Sequence, residues 1–140
     1  MNINAVAYDS PPDIIPGPQG DLTLKVLADS TSVNSSGDVF GGWVALHLDQ
    51  AGELTARKMA GGTRVVAVSI GAMSFLRPVK MGDLIEFYGQ VIEVGRTSIK
   101  VEVEAWIEGP HGASKLTEAS LVFVAIDDNG RTRQIRDLMY

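Results

Sequence analysis

No cysteine occurs among the 140 residues, so disulfides and thiolate-based metal sites are both excluded. There is also no unbroken apolar run near the roughly 18 residues a membrane span needs. The opening MNINAVAYDSPPD lacks the basic segment and apolar core of a secretory signal, and a cytoplasmic address is expected. Positive charge is scarce: 12 Lys and Arg face 17 Asp and Glu, a formal net charge of −5. That balance argues against a nucleic-acid backbone as the main partner. A small phosphorylated ligand stays open to it, since a few local cations suffice. No internal repeat occurs, and the length suits a single domain with one core.

Four of the six prolines fall within residues 1–20, which carry little hydrophobic pattern and are expected to form a mobile arm or strap. Leu22, Leu24 and Val26 then alternate with polar neighbours as in a strand, and a polar loop with Gly37 follows from Asp29 to Asp38. From Gly42 to about Ala60, Val44, Leu48, Ala51, Gly52, Thr55 and Met59 recur at helical spacing, with Gln50, Glu53 and Arg57 opposite. The Gly61-Gly62 pair predicts its end.

Downstream the period changes to two. Strands are expected near Arg64–Ser69, at Met73–Leu76 before Pro78, and along Leu84–Glu93, where Ile85, Phe87, Val91 and Glu93 share a face. Val94-Gly95-Arg96 reads as a turn. Ile99, Val101, Val103, Ala105 and Ile107 alternate with Lys100, Glu102, Glu104 and Trp106, a half-buried antiparallel strand. Leu116–Ile126 is another, ending in the tight Asp127-Asp128-Asn129-Gly130 turn. One early helix followed by four or five antiparallel strands is an α+β plan, with a curved sheet covering the helix. Small residues at 45, 51, 52 and 56 allow close approach.

Four runs carry a family resemblance in register: Asn34 through Gly52, Phe75 through Asp83, Val94 through Ile99, and Phe123 through Arg131. Together, across about residues 22–134, they resemble the bacterial YciA-type acyl-CoA thioesterases. The resemblance implies a hotdog fold, a long central helix wrapped by an antiparallel sheet. It implies homo-oligomers, dimers with a continuous sheet that assemble further as trimers of dimers, with active sites at the dimer interface. It also implies no metal or redox cofactor, coenzyme A being part of the substrate, and a catalytic acid at the position of Asp49.

Thioester hydrolysis needs an activated nucleophile and stabilisation of a tetrahedral oxyanion. Gly41 and Gly42 open the helix, where N–H groups lack intrahelical partners and the dipole favours negative charge; they form a candidate oxyanion hole, or an ordinary glycine-rich helix entry. Asp49 falls beside Ala45, Gly52 and Ala56 on the edge of the buried stripe. Desolvation there would raise its pKa and equip it as a general base or a nucleophile; the alternative is a solvated helix carboxylate. Asn34 either orients water or the substrate carbonyl, or closes its loop. Asp38 is read as a loop or capping residue.

For the coenzyme A phosphates, Arg96, Thr97 and Ser98 at the strand turn are the leading candidates against a plain hairpin, with Arg57, Lys58, Arg77 and Lys80 behind them. His47, two residues from Asp49, lies on another helix face and is read as structural; His111 belongs to an exposed turn. Trp106 is expected to pack near the Phe87 strand. A dehydratase or hydratase of the same fold would carry a histidine motif that is not found. A non-catalytic acyl-CoA-binding subunit or sensor remains the alternative.

Overall fold

The computed structural model describes residues 17–135. Its elements, in chain order, are β1 (Asp21–Leu27), α1 (Gly41–Met59), β2 (Val65–Ile70), β3 (Leu84–Val94), β4 (Ser98–Gly109) and β5 (Gly112–Ala125), with a short 3-10 turn at Ser30–Ser32. The strands form one antiparallel sheet in the order β1-β3-β4-β5-β2. β1 and β2, on either side of the helix in sequence, become opposite edges of the sheet. The helix therefore crosses the whole inner face, as a hotdog fold requires.

Small residues seat α1 on the sheet. Val44, Leu48, Ala51, Gly52 and Ala56 are buried, and a Cβ at Gly52 would lie 3.1 Å from the Phe123 ring and 3.4 Å from Leu121. Gly89 serves the same end from the sheet side: a Cβ there would fall 2.0 Å from Thr55 Oγ1. Ile85, Phe87, Ile99, Val101, Val103, Leu121 and Phe123 complete the core. The helix ends where the glycine pair predicts. Gly61 and Gly62 have φ of 66° and 86°, and their N–H groups return to the carbonyls of Lys58 and Arg57.

Several expectations change. Met73–Leu76 is not a strand; the segment is tied to β5 at isolated points, including Leu76 N–H to Leu116 O. A bulge between Val91 and Glu93 reverses the alternation in β3, so Glu93 pairs with Lys100 instead of continuing the Val91 face. Glu104 and Trp106 occupy the outer side of β4 but are both only 6% exposed. Trp106 pairs with Glu86, and its indole N–H donates to Glu104 Oε1 at 2.9 Å. Glu104 also accepts the Gln19 backbone N–H at 3.2 Å, so this residue of the expected N-terminal arm is held against the sheet; residues 1–16 of that arm lie outside the described part. Among the described residues, no helix is long and apolar enough to cross a membrane.

Candidate active site

Helix α1 begins without the usual polar cap. Phe40 occupies the N-cap position and gives no side-chain hydrogen bond, and no acidic residue stands in the first turn. The N–H groups of Gly41 and Gly42 find no backbone acceptor among the described residues. Both glycines are exposed, and nothing lies within 4 Å of a Cβ built at Gly42. Two donors and the positive end of a helix of 19 residues therefore face outward.

Asp49 is half-buried on the same helix. Its Oδ1 is shielded from solvent and has no hydrogen-bond partner among the described residues. Desolvation raises its pKa above the ordinary carboxylate value, and Glu53, one turn on, adds repulsion. A carboxylate with one oxygen withdrawn from water and left without a donor is a stronger base than a fully solvated one. Glu53 is itself ion-paired with Arg57.

The chain does not bring these two features together. Gly42 and Asp49 are seven residues apart on one straight element, or ~10 Å along the axis. Nor does it bring the coenzyme A candidates to the helix start. The turn with Arg96, Thr97 and Ser98 lies at the opposite end of the sheet: Ser98 pairs with Val124, and Val65, just after the helix, pairs with Ala125. In that turn the backbone is occupied structurally, since the carbonyls of Arg96 and Thr97 accept the N–H groups of Ile135 and Ala125. The exposed Arg96 side chain is not involved in an ion pair among the described residues.

The remaining candidates divide by what already holds them. Lys80 is ion-paired with Asp38, and Arg57 with Glu53. Arg77 donates to the Lys115 carbonyl at 2.7 Å. Asn34 closes its loop: Oδ1 accepts the N–H groups of Ser36 and Asp38, while its backbone N–H bonds Asp38 O. Asp38 does not cap the helix. His47 is structural as read, its Nδ1 hydrogen-bonded to Trp43 O at 2.8 Å and its ring between Trp43 and Phe87.

A cavity of about 830 Å³, missed in the sequence, opens between β1, β3 and the C-terminal half of α1, lined by Leu22, Leu54, Lys58 and Gly89 among others. Lys58 is half a turn around the helix from Asp49, so this cavity and the carboxylate occupy opposite flanks.

Comparison with known proteins agrees with this architecture. The thioesterase superfamily model matches residues 36–114. The acyl-CoA thioester hydrolase YciA of Escherichia coli is 40% identical over 123 residues, 84% of this chain and 92% of the relative. A hexameric broad specificity acyl-coenzyme A thioesterase superposes with a TM-score of 0.81 at 40% identity, covering 86% of this chain and 84% of the other. The acyl-CoA hydrolase of Staphylococcus aureus, solved with butyryl coenzyme A and coenzyme A, gives 0.73 at 27% identity over 79% and 68% of the two chains. It has also been solved with one aspartate, and separately one asparagine, changed to alanine. The chain belongs to the thioesterase superfamily, within its YciA-type acyl-CoA thioester hydrolases.

Proposed function

We propose that this enzyme hydrolyses fatty acyl-CoA to the free acid and coenzyme A, in sites that two protomers build together. The observation that carries the reading is the partnerless, desolvated Oδ1 of Asp49 on a helix whose glycine N-terminus is left uncapped. The base deprotonates water as it attacks the thioester carbon, or the carboxylate attacks directly to give a mixed anhydride that water then hydrolyses. The tetrahedral oxyanion is held by the N–H groups of Gly41 and Gly42. Its collapse breaks the C–S bond and releases coenzyme A as a thiolate that takes up a proton from the site or from water.

One attacked carbon must lie within about 3 Å of both the nucleophile and the oxyanion donors. The ~10 Å between Gly42 and Asp49 on one helix forbids this within a single chain. A two-fold axis that sets two helices antiparallel solves it, placing Asp49 of one protomer opposite the glycine entry of the other. The free edge of β2, with Val68 58% and Ile70 52% exposed, supports such a pairing through a continuous sheet. The same operation carries the Arg96 turn of one protomer toward the helix start of the other, where it would bind the coenzyme A phosphates. Hexameric relatives support a trimer of such dimers.

Asn34 enters this reading as the residue that orients water or the carbonyl through the amide nitrogen its loop leaves free. The asparagine and aspartate substituted in the Staphylococcus aureus enzyme stand fifteen residues apart, the spacing of Asn34 and Asp49. No metal or redox cofactor is required by these steps.

The test is release of free coenzyme A from acyl-CoAs of increasing length, followed with a thiol reagent on wild type and Asp49→Ala. Turnover that collapses in the variant, with the oligomer intact, is the expected result. Saturable binding without release from any chain length would favour a non-catalytic acyl-CoA-binding subunit.

A further inference from the structure

The segment joining β2 to β3 carries a residue to which the chemistry above gives no role. Phe75 is flanked by hydrogen bonds that hold its backbone to β5: Thr117 Oγ1 donates to Ser74 O at 2.8 Å, and Leu76 N–H donates to Leu116 O at 2.8 Å. Arg77 adds its bond to Lys115 O. The backbone is fixed, yet the ring is 45% exposed. It reaches the first residue of α1: a Cβ at Gly41 would lie 3.2 Å from Phe75 Cε2 and 3.4 Å from Cζ. The ring thus takes the space that a side chain at position 41 would need.

Two further exposed apolar side chains share this end of the helix. Phe40 immediately precedes the glycines and is 51% exposed; Leu46, on the same helix face as Gly42, is 53% exposed. Exposed apolar groups beside unsatisfied N–H donors fit a ligand that is polar at one atom and hydrocarbon immediately next to it. A thioester carbonyl and its first acyl carbons have that form.

We infer that Phe75 is a positioning and specificity residue: its ring is the wall against which the acyl carbons next to the carbonyl rest as the oxygen enters the Gly41-Gly42 donors. The inference rests on the proposed role of those glycines. A wall at that place limits bulk at the carbon adjacent to the carbonyl. It acts on the substrate's branching, where a residue that only supports the fold would slow all substrates alike.

The experiment compares kcat/KM for isobutyryl-CoA and butyryl-CoA, which differ in branching at that carbon, in wild type, Phe75→Leu and Phe75→Ala. Removing the wall is expected to raise the isobutyryl-to-butyryl ratio about tenfold or more, the scale of one methyl group in a shaped pocket. Phe75→Leu, which keeps most of the bulk, returns the ratio toward wild type and guards against misfolding. Gly41→Ala supplies a second readout. Its methyl meets the ring in wild type, so its loss in kcat should shrink when Phe75 is already alanine. An unchanged ratio in Phe75→Ala overturns the inference, as do strictly multiplicative losses in the double variant. Asp49→Ala, assayed alongside, separates the two readings: wild-type turnover in that variant sinks the catalytic proposal, whereas an inactive Asp49→Ala with an unchanged Phe75→Ala ratio sinks only this one.

Discussion

Replacing Asp49 with asparagine preserves the shape of the side chain and removes its charge. In the folded protein Oδ1 is shielded and has no donor, and Glu53 repels it from one turn away. A buried polar atom without a partner costs about 1–3 kcal/mol, more when charged. Part of the carboxyl remains open to water, which screens the penalty, so the neutral variant should gain about 1 kcal/mol. For a domain of this size that is ~3–5 °C in Tm. The sign follows from linkage. Desolvation raises the folded-state pKa, so the stability that the protonated form contributes is fully present below the ordinary carboxylate value. It is lost as pH rises through the raised value. The advantage of Asp49→Asn should therefore open across that acid window and stay constant above it. Catalysis should move the other way, with kcat down about 10²–10⁴-fold through loss of the base or nucleophile. Urea titrations at fixed protomer concentration, followed by the fluorescence of Trp43 and Trp106, report the first effect; coenzyme A release reports the second. A variant no more stable at neutral pH, or one that keeps wild-type kcat, would refute the account of Asp49.

Other predictions concern packing and binding. Gly89→Ala places a methyl against Thr55 Oγ1 and should destabilise by about 1–3 kcal/mol; Thr55→Ala should recover part of that loss in the double variant, read from urea midpoints. Glu104→Ala strands the Trp106 indole N–H and the Gln19 N–H, costing about 1–3 kcal/mol, while Glu104→Gln keeps an acceptor and should cost less. Arg96→Ala leaves the turn's backbone bonds in place. It should raise KM for acyl-CoA with kcat little changed, and weaken the salt dependence of KM.

Much of this architecture was legible in residue spacing. The helix follows from apolar positions every three to four residues and a glycine stop, and β4 from strict alternation. What spacing could not convey were events across strands. The bulge at Ile92 is one unpaired residue, visible only against β4. The burial of Glu104 depends on Trp106, Lys115 and the Gln19 backbone meeting on the outer face, 85 residues apart in the last case. Asp49 was legible as a carboxylate on the rim of a buried stripe, but the missing partner of Oδ1 is a property of packing. The candidate cations could not be ranked by sequence for a related reason: which lysine or arginine already has an ion-pair partner depends on neighbours such as Asp38 for Lys80, 42 residues away in the chain. The cavity beside Lys58 had no sequence signal, because its lining comes from β1, β3 and the end of α1, which are far apart in the chain.

The open start of α1 bears on how this protein can be engineered. A routine route to a hardier helix is a serine, threonine or aspartate at the N-cap, worth about 0.5–2 kcal/mol. Phe40 is the position such a redesign would choose. Under the proposed mechanism the introduced oxygen would compete for the N–H of Gly42 or Trp43, and an aspartate would set a negative charge beside the proposed oxyanion site. On that reading, heat resistance gained at that residue would come with slower turnover. Thermostable versions are better sought on the far side of the sheet, where the Glu104 cluster can be reinforced without touching the reaction.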